Sequence, residues 1–213
     1  MHSAGNSRKG GNKFKQLSKM AIERPLNIFL VGVSCVGKTN IGKRLADEIG
    51  YKFFDLDSEI ERYFNESISC IQSQFLSDYS YRKSVSKVLR KIIEENKDNN
   101  FVMALPPSGL RDWYYKELKK TDPLIIALND SPENILKRIT FYDDDSNKIE
   151  KKLNKREKQY YLRDIEKDIA FFKKYNANAD YQININGLNI QESVKKLKAL
   201  INTLDNINQG NSF

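Results

Sequence analysis

The chain reads as an α/β fold: three α/β/α layers, with helices on both faces of a five-stranded parallel sheet. Three observations predict it. Short apolar runs alternate with longer segments of helical periodicity through most of the chain. The first run leads directly into Gly32-x-x-x-x-Gly37-Lys38-Thr39, the phosphate-binding P-loop pattern. No apolar run approaches the length of a membrane span, so the alternation is read as that of a soluble domain.

The first strand is expected over 26–31, and the pattern that follows opens a helix over 38–49, where Ile41, Leu45 and Ile49 recur at helical spacing. That context is what a P-loop requires: glycines stand where a side chain would block a triphosphate, and the turn's amides form an anion nest. Gly32, Ser34, Cys35, Val36, Gly37, Lys38, Thr39 and Asn40 are therefore candidate nucleotide contacts. Lys38 supplies a point charge for the β- and γ-phosphates, and the Thr39 hydroxyl suits a magnesium ion. The helix N-terminus aims its dipole at the same place. Cys35 inside the loop reads as a small filler residue.

Further strands are expected at 51–56, 101–105, 123–128 and 181–185, and helices near 58–64, 71–96, 110–120, 131–140, 155–175 and 190–206. Asp130-Ser-Pro-Glu133 is a helix start, because Asp or Ser caps free amides and Pro132 is tolerated in the first turn. The polar run at 142–147 interrupts the pattern and begins a loop.

A length of 213 residues, 39% of them hydrophobic, suits one domain with an inserted lid. Two cysteines without a hydrophobic leader point to a reduced, cytoplasmic setting. The net charge of +8 invites a nucleic-acid reading, but six cations against Glu23 in residues 1–24 contribute +5, leaving +3 for the remainder. That first segment is rich in Gly, Ser and Asn, so a disordered basic tail is expected over 1–24 and a single domain over 25–208. A nucleic-acid partner is not expected, nor is a membrane; a monomer is.

Phe54-Asp55-Leu-Asp57 ends the second expected strand, and ligands in open α/β sheets gather at the carboxyl ends of strands. Alternation puts Asp55 and Asp57 on one side. One carboxylate can hold a magnesium-bound water while the other orients or deprotonates an attacking hydroxyl. The competing reading is that these acids cap the next helix.

Gly32-Val-Ser-Cys-Val-Gly-Lys-Thr39, Asp55-Leu-Asp57-Ser-Glu-Ile-Glu61, Glu66-Ser-Ile68 and Tyr81-Arg82 together resemble the opening half of shikimate kinase in order and approximate spacing. The resemblance implies a P-loop kinase fold with a helical substrate subdomain and a closing lid, here about 141–156. It also implies transfer of the γ-phosphate of ATP to a hydroxyl of a small carboxylic acid, with Mg2+ as cofactor. The family's magnesium-associated aspartate falls on Asp55, its substrate-hydroxyl aspartate on Asp57 and its carboxylate-binding arginine on Arg82. A planar guanidinium grips a carboxylate bidentately, although Arg82 also sits among Lys83, Lys87, Arg90 and Lys91, where a solvated face is the alternative. Asn134-Ile-Leu-Lys-Arg138 resembles the helix whose arginine stacks on adenine. The likeness resumes at Tyr175-Asn-Ala-Asn-Ala-Asp180.

Departures from the family are equally specific. Its run of three glycines after the third strand is replaced by Ala104-Leu-Pro-Pro-Ser-Gly109, where Pro106 and Pro107 cannot donate amides. Ser108 and Gly109 either supply replacement donors or belong to a rigid turn. The lid lacks the family's Arg-Pro, and Arg156 is the candidate lid cation among Lys148, Lys151, Lys152 and Lys155; the acidic triplet 143–145 reads as a solvated loop. The family's C-terminal substrate arginine has no counterpart: Arg163 lies too far upstream and Phe171-Phe-Lys-Lys174 occupies its stretch. The expected activity is phosphoryl transfer from ATP to a small hydroxy acid, with shikimate among the candidates. The alternatives are an ATP-binding regulatory protein that has lost transfer, suggested by the Pro-Pro replacement, and a nucleic-acid-acting P-loop enzyme, suggested by the basic tail.

Overall fold

The computed structural model describes residues 25–142 and 148–210. Its main sheet has the order β2-β3-β1-β4-β7, formed by β1 (Asn27–Val31), β2 (Lys52–Asp55), β3 (Phe101–Ala104), β4 (Leu124–Asn129) and β7 (Tyr181–Asn184), with every pairing parallel. The five expected strands thus form one sheet, each within a residue or two of its expected span. Central strands β1 and β3 are buried along nearly their whole length, whereas β7 at the edge alternates between half-buried and exposed. This is the pattern of a sheet covered on both faces at its centre and released at its rim.

Alternate residues of each central strand feed two separate cores. Phe29, Val31, Phe101, Met103, Ile125 and Ala127 point to one, together with apolar residues of α2 (Leu56–Phe64), α3 (Ile68–Ser73), α4 (Asp78–Glu95) and α5 (Asp112–Leu118). Ile28, Leu30, Val102, Ile126 and Leu128 point to the other, where α1 (Lys38–Ile49), α6 (Pro132–Leu136), α7 (Lys155–Asn176) and α8 (Ile190–Gly210) pack. The period of two along the strand is therefore what creates the three layers.

Chain direction also positions the site. From β1 the chain crosses to β2 and β3 on one side, then returns to β4 on the other. The carboxyl end of β1 lies at this reversal, where neighbouring loops diverge and leave a crevice.

Three helices differ from their expected spans by more than two residues, the last of them, α8, because it runs on to Gly210. The periodic segment 71–96 is broken into α3 and α4, because the Ser77 hydroxyl accepts from the Ser80 amide at 3.2 Å and starts a new helix. The segment 131–140 is helical only to Leu136, after which the chain enters a small antiparallel hairpin, β5 (Phe141–Tyr142) with β6 (Lys148–Ile149). The hairpin falls in the expected lid, which ends where Asn154 and Glu157 form a reciprocal capping box on α7. The expected basic tail at 1–24 and the acidic triplet at 143–145 lie outside the described residues.

Candidate active site

Between β1 and α1 the chain makes a turn that demands left-handed backbone at several points. Gly32 has φ 143° and Gly37 φ 110°, and a Cβ on Gly32 would stand 2.5 Å from the Leu128 carbonyl oxygen. Between them Cys35 adopts φ 58°, a conformation that costs a non-glycine residue about 1–2 kcal/mol and is sustained only by its surroundings. Inside this turn Lys38 is buried, and its Nζ donates to the carbonyls of Gly32 at 3.0 Å and Val33 at 2.9 Å. Burial lowers its pKa to about 8, against the opposing pull of Asp57 and Asp55. Desolvation by the surrounding turn pushes the thiol of Cys35, an exposed residue, upward, with Lys38 opposing.

The two acids at the end of β2 take different positions. Asp55 N-caps α2, its Oδ1 accepting from the amides of Asp57 at 3.1 Å and Ser58 at 3.4 Å. Its other oxygen, Oδ2, accepts from Thr39 Oγ1 at 2.6 Å. The capping reading of this residue is realised on one carboxylate oxygen, and the other oxygen faces the P-loop threonine. Asp57 lies in the first turn of α2 rather than on the strand, because capping by Asp55 starts the helix at Leu56. Its carboxyl pKa is raised to about 6, first by burial and then by the Asp55 charge; Lys38 opposes and Glu61 adds to the rise. Glu61 in turn is positioned by accepting the Ile68 amide at 2.9 Å.

Beyond Asp57 stand Tyr81 and Tyr114, both buried and both feeling its charge; burial raises Tyr81 to about 12 and raises Tyr114 as well. Arg82 is buried next to them. Its Nε and Nη2 converge on Asp112 Oδ2 at 3.0 and 2.9 Å, and its Nη1 reaches Asp78 Oδ2 at 3.4 Å. The Arg82 side chain is 5% exposed, so the solvated-face alternative does not describe it. Asp112 has φ 46°, a second strained non-glycine position, and α5 is tied to α4 by Arg90, which grips the buried Glu117 through two hydrogen bonds.

The Pro-Pro segment makes a tight turn after β3. Leu105 donates its amide to the Leu30 carbonyl, Gly109 to Pro106 at 2.8 Å and Arg111 to Ser108 at 2.8 Å. The Gly109 amide is thus engaged within its own turn, and a Cβ there would collide with Leu105 at 2.6 Å.

On the other side of the P-loop, Arg138 Nη2 pairs with Asp130 Oδ2 at 2.7 Å. The Asp130 side chain is fully buried and also accepts from Ser131 N, Asn134 Nδ2 and Gly187 N. Asp130 therefore joins α6 to the turn after β7, a role its position before a helix does not announce. Ser131 takes the capping duty, accepting from Asn134 N at 3.3 Å, which leaves Asp130 free to reach a residue 57 positions away. Arg138 also lines a cavity of about 590 Å³ between α6 and the hairpin, with Lys137, Lys148, Lys151 and Lys152. Arg156 is exposed at the start of α7 and does not line it.

Lys38, Thr39, Asp55 and Asp57 are thus brought together, Arg82 lies beyond them through the tyrosines, and Arg138 and Arg156 stand apart. The Thr39–Asp55 oxygen pair fits a hard cation of the magnesium type, which keeps most of its shell for water and phosphate and takes few protein ligands. Among the described residues no cluster of three His, Cys, Asp or Glu offers a denser cage.

The fold and this arrangement define a P-loop small-molecule kinase. The profile of one family, shikimate kinase, matches residues 34–202. The chain belongs to the shikimate kinase family. It is 29% identical over 171 residues to the shikimate kinase of Caldicellulosiruptor saccharolyticus, covering 80% of this chain and 92% of that one. It is 31% identical over 115 residues to a bifunctional shikimate kinase/3-dehydroquinate synthase of Thermotoga maritima, spanning 54% of this chain but 22% of that enzyme. Among solved structures, the shikimate kinase of Acinetobacter baumannii in complex with shikimate superposes with a TM-score of 0.62 at 25% identity, covering 89% of this chain and 97% of that one.

Proposed function

We propose that this chain transfers the γ-phosphoryl group of ATP to a hydroxyl of a small hydroxy acid, with shikimate as the first candidate acceptor. The observation that carries the reading is the convergence of buried Lys38, the Thr39–Asp55 pair and the basic, half-buried Asp57 at the carboxyl end of β1. Membership of a family whose members use ATP supports it.

In this reading Gly32, Ser34, Cys35, Val36, Gly37 and Asn40 cradle the phosphates, and the Lys38 ammonium turns from the Gly32 and Val33 carbonyls to the β- and γ-phosphates. Thr39 would hold Mg2+ and Asp55 would support it through water; the ion would supply charge that neutralises the phosphates. Asp57 accepts the hydroxyl proton as the acceptor oxygen bonds to the γ-phosphorus and the bond to the bridging oxygen breaks, leaving ADP and a phosphate ester. A carboxyl group at about 6 is ionised at neutral pH yet more basic than an ordinary aspartate, which suits this task. Tyr81, Tyr114, Arg82, Ser108 and Gly109 wall the acceptor side. Arg138 faces the adenine, and the lid, about 141–156 with Arg156, closes to exclude water. Residues 25–208 act as one domain, monomeric and cytoplasmic. Two free cysteines accord with that setting, and among the described residues no helix is long and apolar enough to cross a membrane.

A coupled assay of ADP release with ATP, Mg2+ and a panel of hydroxy acids and sugars tests the reading. Acceptor-dependent turnover above ATPase background, lost in Asp57→Asn, is expected. Tight ATP binding with no acceptor turned over would instead leave a nucleotide-binding protein without transfer.

A further inference from the structure

ATP would bring its charge to Lys38, yet a second group of cations stands apart from the P-loop. Lys137, Arg138, Lys148, Lys151, Lys152 and Lys158 line the cavity of about 590 Å³ between α6 and the β5–β6 hairpin, against two acids, Glu133 and Glu150. A nucleobase facing Arg138 is neutral, so the donor does not account for an excess of positive charge on this wall.

Three of these cations are engaged with the protein itself. Arg138 Nη2 pairs with Asp130 at 2.7 Å, Lys151 Nζ with Glu157 at 3.1 Å, and Lys137 Nζ donates to Asn134 Oδ1 at 3.3 Å. Lys148, Lys152 and Lys158 are exposed and, among the described residues, make no ion pair. Arg138 Nη1 is buried and has no hydrogen-bond partner among the described residues, so one arm of the guanidinium fork is unspent. Beneath the cations the floor is apolar. Leu136 is buried in the core of this layer, and Ile139 and Leu153 pack against the same cluster. Phe141 supplies an aromatic plane, braced by Tyr161 with 5.5 Å between ring centres. A bare ion would leave this floor unused, and a neutral ring would leave the lysines unanswered. The volume is that of a site for one small molecule.

We propose that the cavity is a second ligand site, separate from the phosphate cradle, and that it takes a small ring compound carrying a phosphate monoester. The ring lies on Leu136, Ile139, Phe141 and Leu153, and the phosphate is held by Lys148, Lys152 and the open Nη1 of Arg138. Lysine answers a phosphate as a point charge, and the guanidinium adds direction. Arg138 is also the residue proposed above to face adenine, so the two sites share a wall and each ligand alters the affinity of the other by the same factor. A nucleotide and a phosphorylated acceptor both present this chemistry.

Calorimetric titration of the full chain with phenyl phosphate, with Mg2+ and ADP at saturation to fill the P-loop, is the test. One site per chain is expected, with inorganic phosphate, which lacks the ring, and phenol, which lacks the charge, each bound at least tenfold more weakly. The double substitution Lys148→Met/Lys152→Met should weaken phenyl phosphate at least tenfold, while Lys87→Met, an exposed lysine on α4, should leave its binding unchanged. AMP and cyclohexyl phosphate separate the two sources: the tighter of them shows whether an aromatic base or a saturated ring is preferred. Binding retained in full by the double variant, equal weakening in Lys87→Met, or inorganic phosphate bound as tightly as phenyl phosphate overturns the proposal. So does strict competition between ADP and phenyl phosphate, which would make these lysines part of the donor site.

Discussion

Asp57 and Lys38 are each held away from their ordinary ionisation by burial, and each is predicted to trade stability for readiness. Asp57, raised to about 6 from 3.8, binds a proton in the folded state through a range where the unfolded chain has lost it. Its contribution is fully favourable below the unfolded value and is lost as pH rises through about 6. Asp57→Asn should therefore stabilise the protein by about 1–3 kcal/mol at pH 7–8, read by chemical denaturation, with little gain at pH 4. The same substitution should lower kcat by about 10²–10⁴-fold. For the wild type, kcat/KM should climb with pH through about 6 and fall again through about 8 as Lys38 loses its proton. Lys38, lowered to about 8, has the reverse sign: the unfolded chain binds the extra proton, so stability rises with pH between about 8 and 10.5. Lys38→Met should flatten that rise and abolish nucleotide-dependent turnover.

At the scale of elements, Asp130 ties Arg138 and α6 to the turn after β7, on the side proposed above to face adenine. Asp130→Ala removes the partner of Arg138 and the acceptor of the Gly187 amide together. It should cost about 2–4 kcal/mol of stability, since a partly buried cation and several donors lose their partner, and it should raise the KM for ATP while leaving that for the acceptor nearly unchanged. Steady-state kinetics with each substrate varied in turn separates these effects. Asn154→Ala breaks the capping box at the start of α7 and should cost about 1 kcal/mol, with faster amide exchange in the first turn as the local readout. Much at this scale was legible: the helix starts at Lys38 and Lys155 and the strands within a residue or two of their ends. The split of 71–96 was not, because the apolar spacing persists on both sides of Ser77 and only its hydroxyl, turned onto the Ser80 amide, breaks the helix.

For the molecule as a whole, nucleotide is expected to bind in the crevice where the strand order reverses beside β1. ATP with Mg2+ at about a hundred times its dissociation constant should stabilise the fold by about 2.7 kcal/mol, a rise of about 5–10 °C in the unfolding midpoint by calorimetry. Removal of residues 1–24 takes away +5 of the +8 charge and should leave that shift unchanged, whereas any binding to nucleic acid should vanish with it.

The sequence by itself determined the layered fold, the P-loop and the paired acids after β2, because strand alternation, glycine at left-handed positions and strand-to-helix order are local properties of the chain. Only the tertiary structure decided which cations are free. Arg82, Asp112 and Asp78 are up to 34 residues apart, Asp130 and Gly187 are 57 apart, and Arg111 meets Phe171 and Tyr175 from another element. No short-range pattern encodes those meetings. Whether an arginine is spent on its own protein or left with an open edge depends on partners that only folding brings within hydrogen-bond distance.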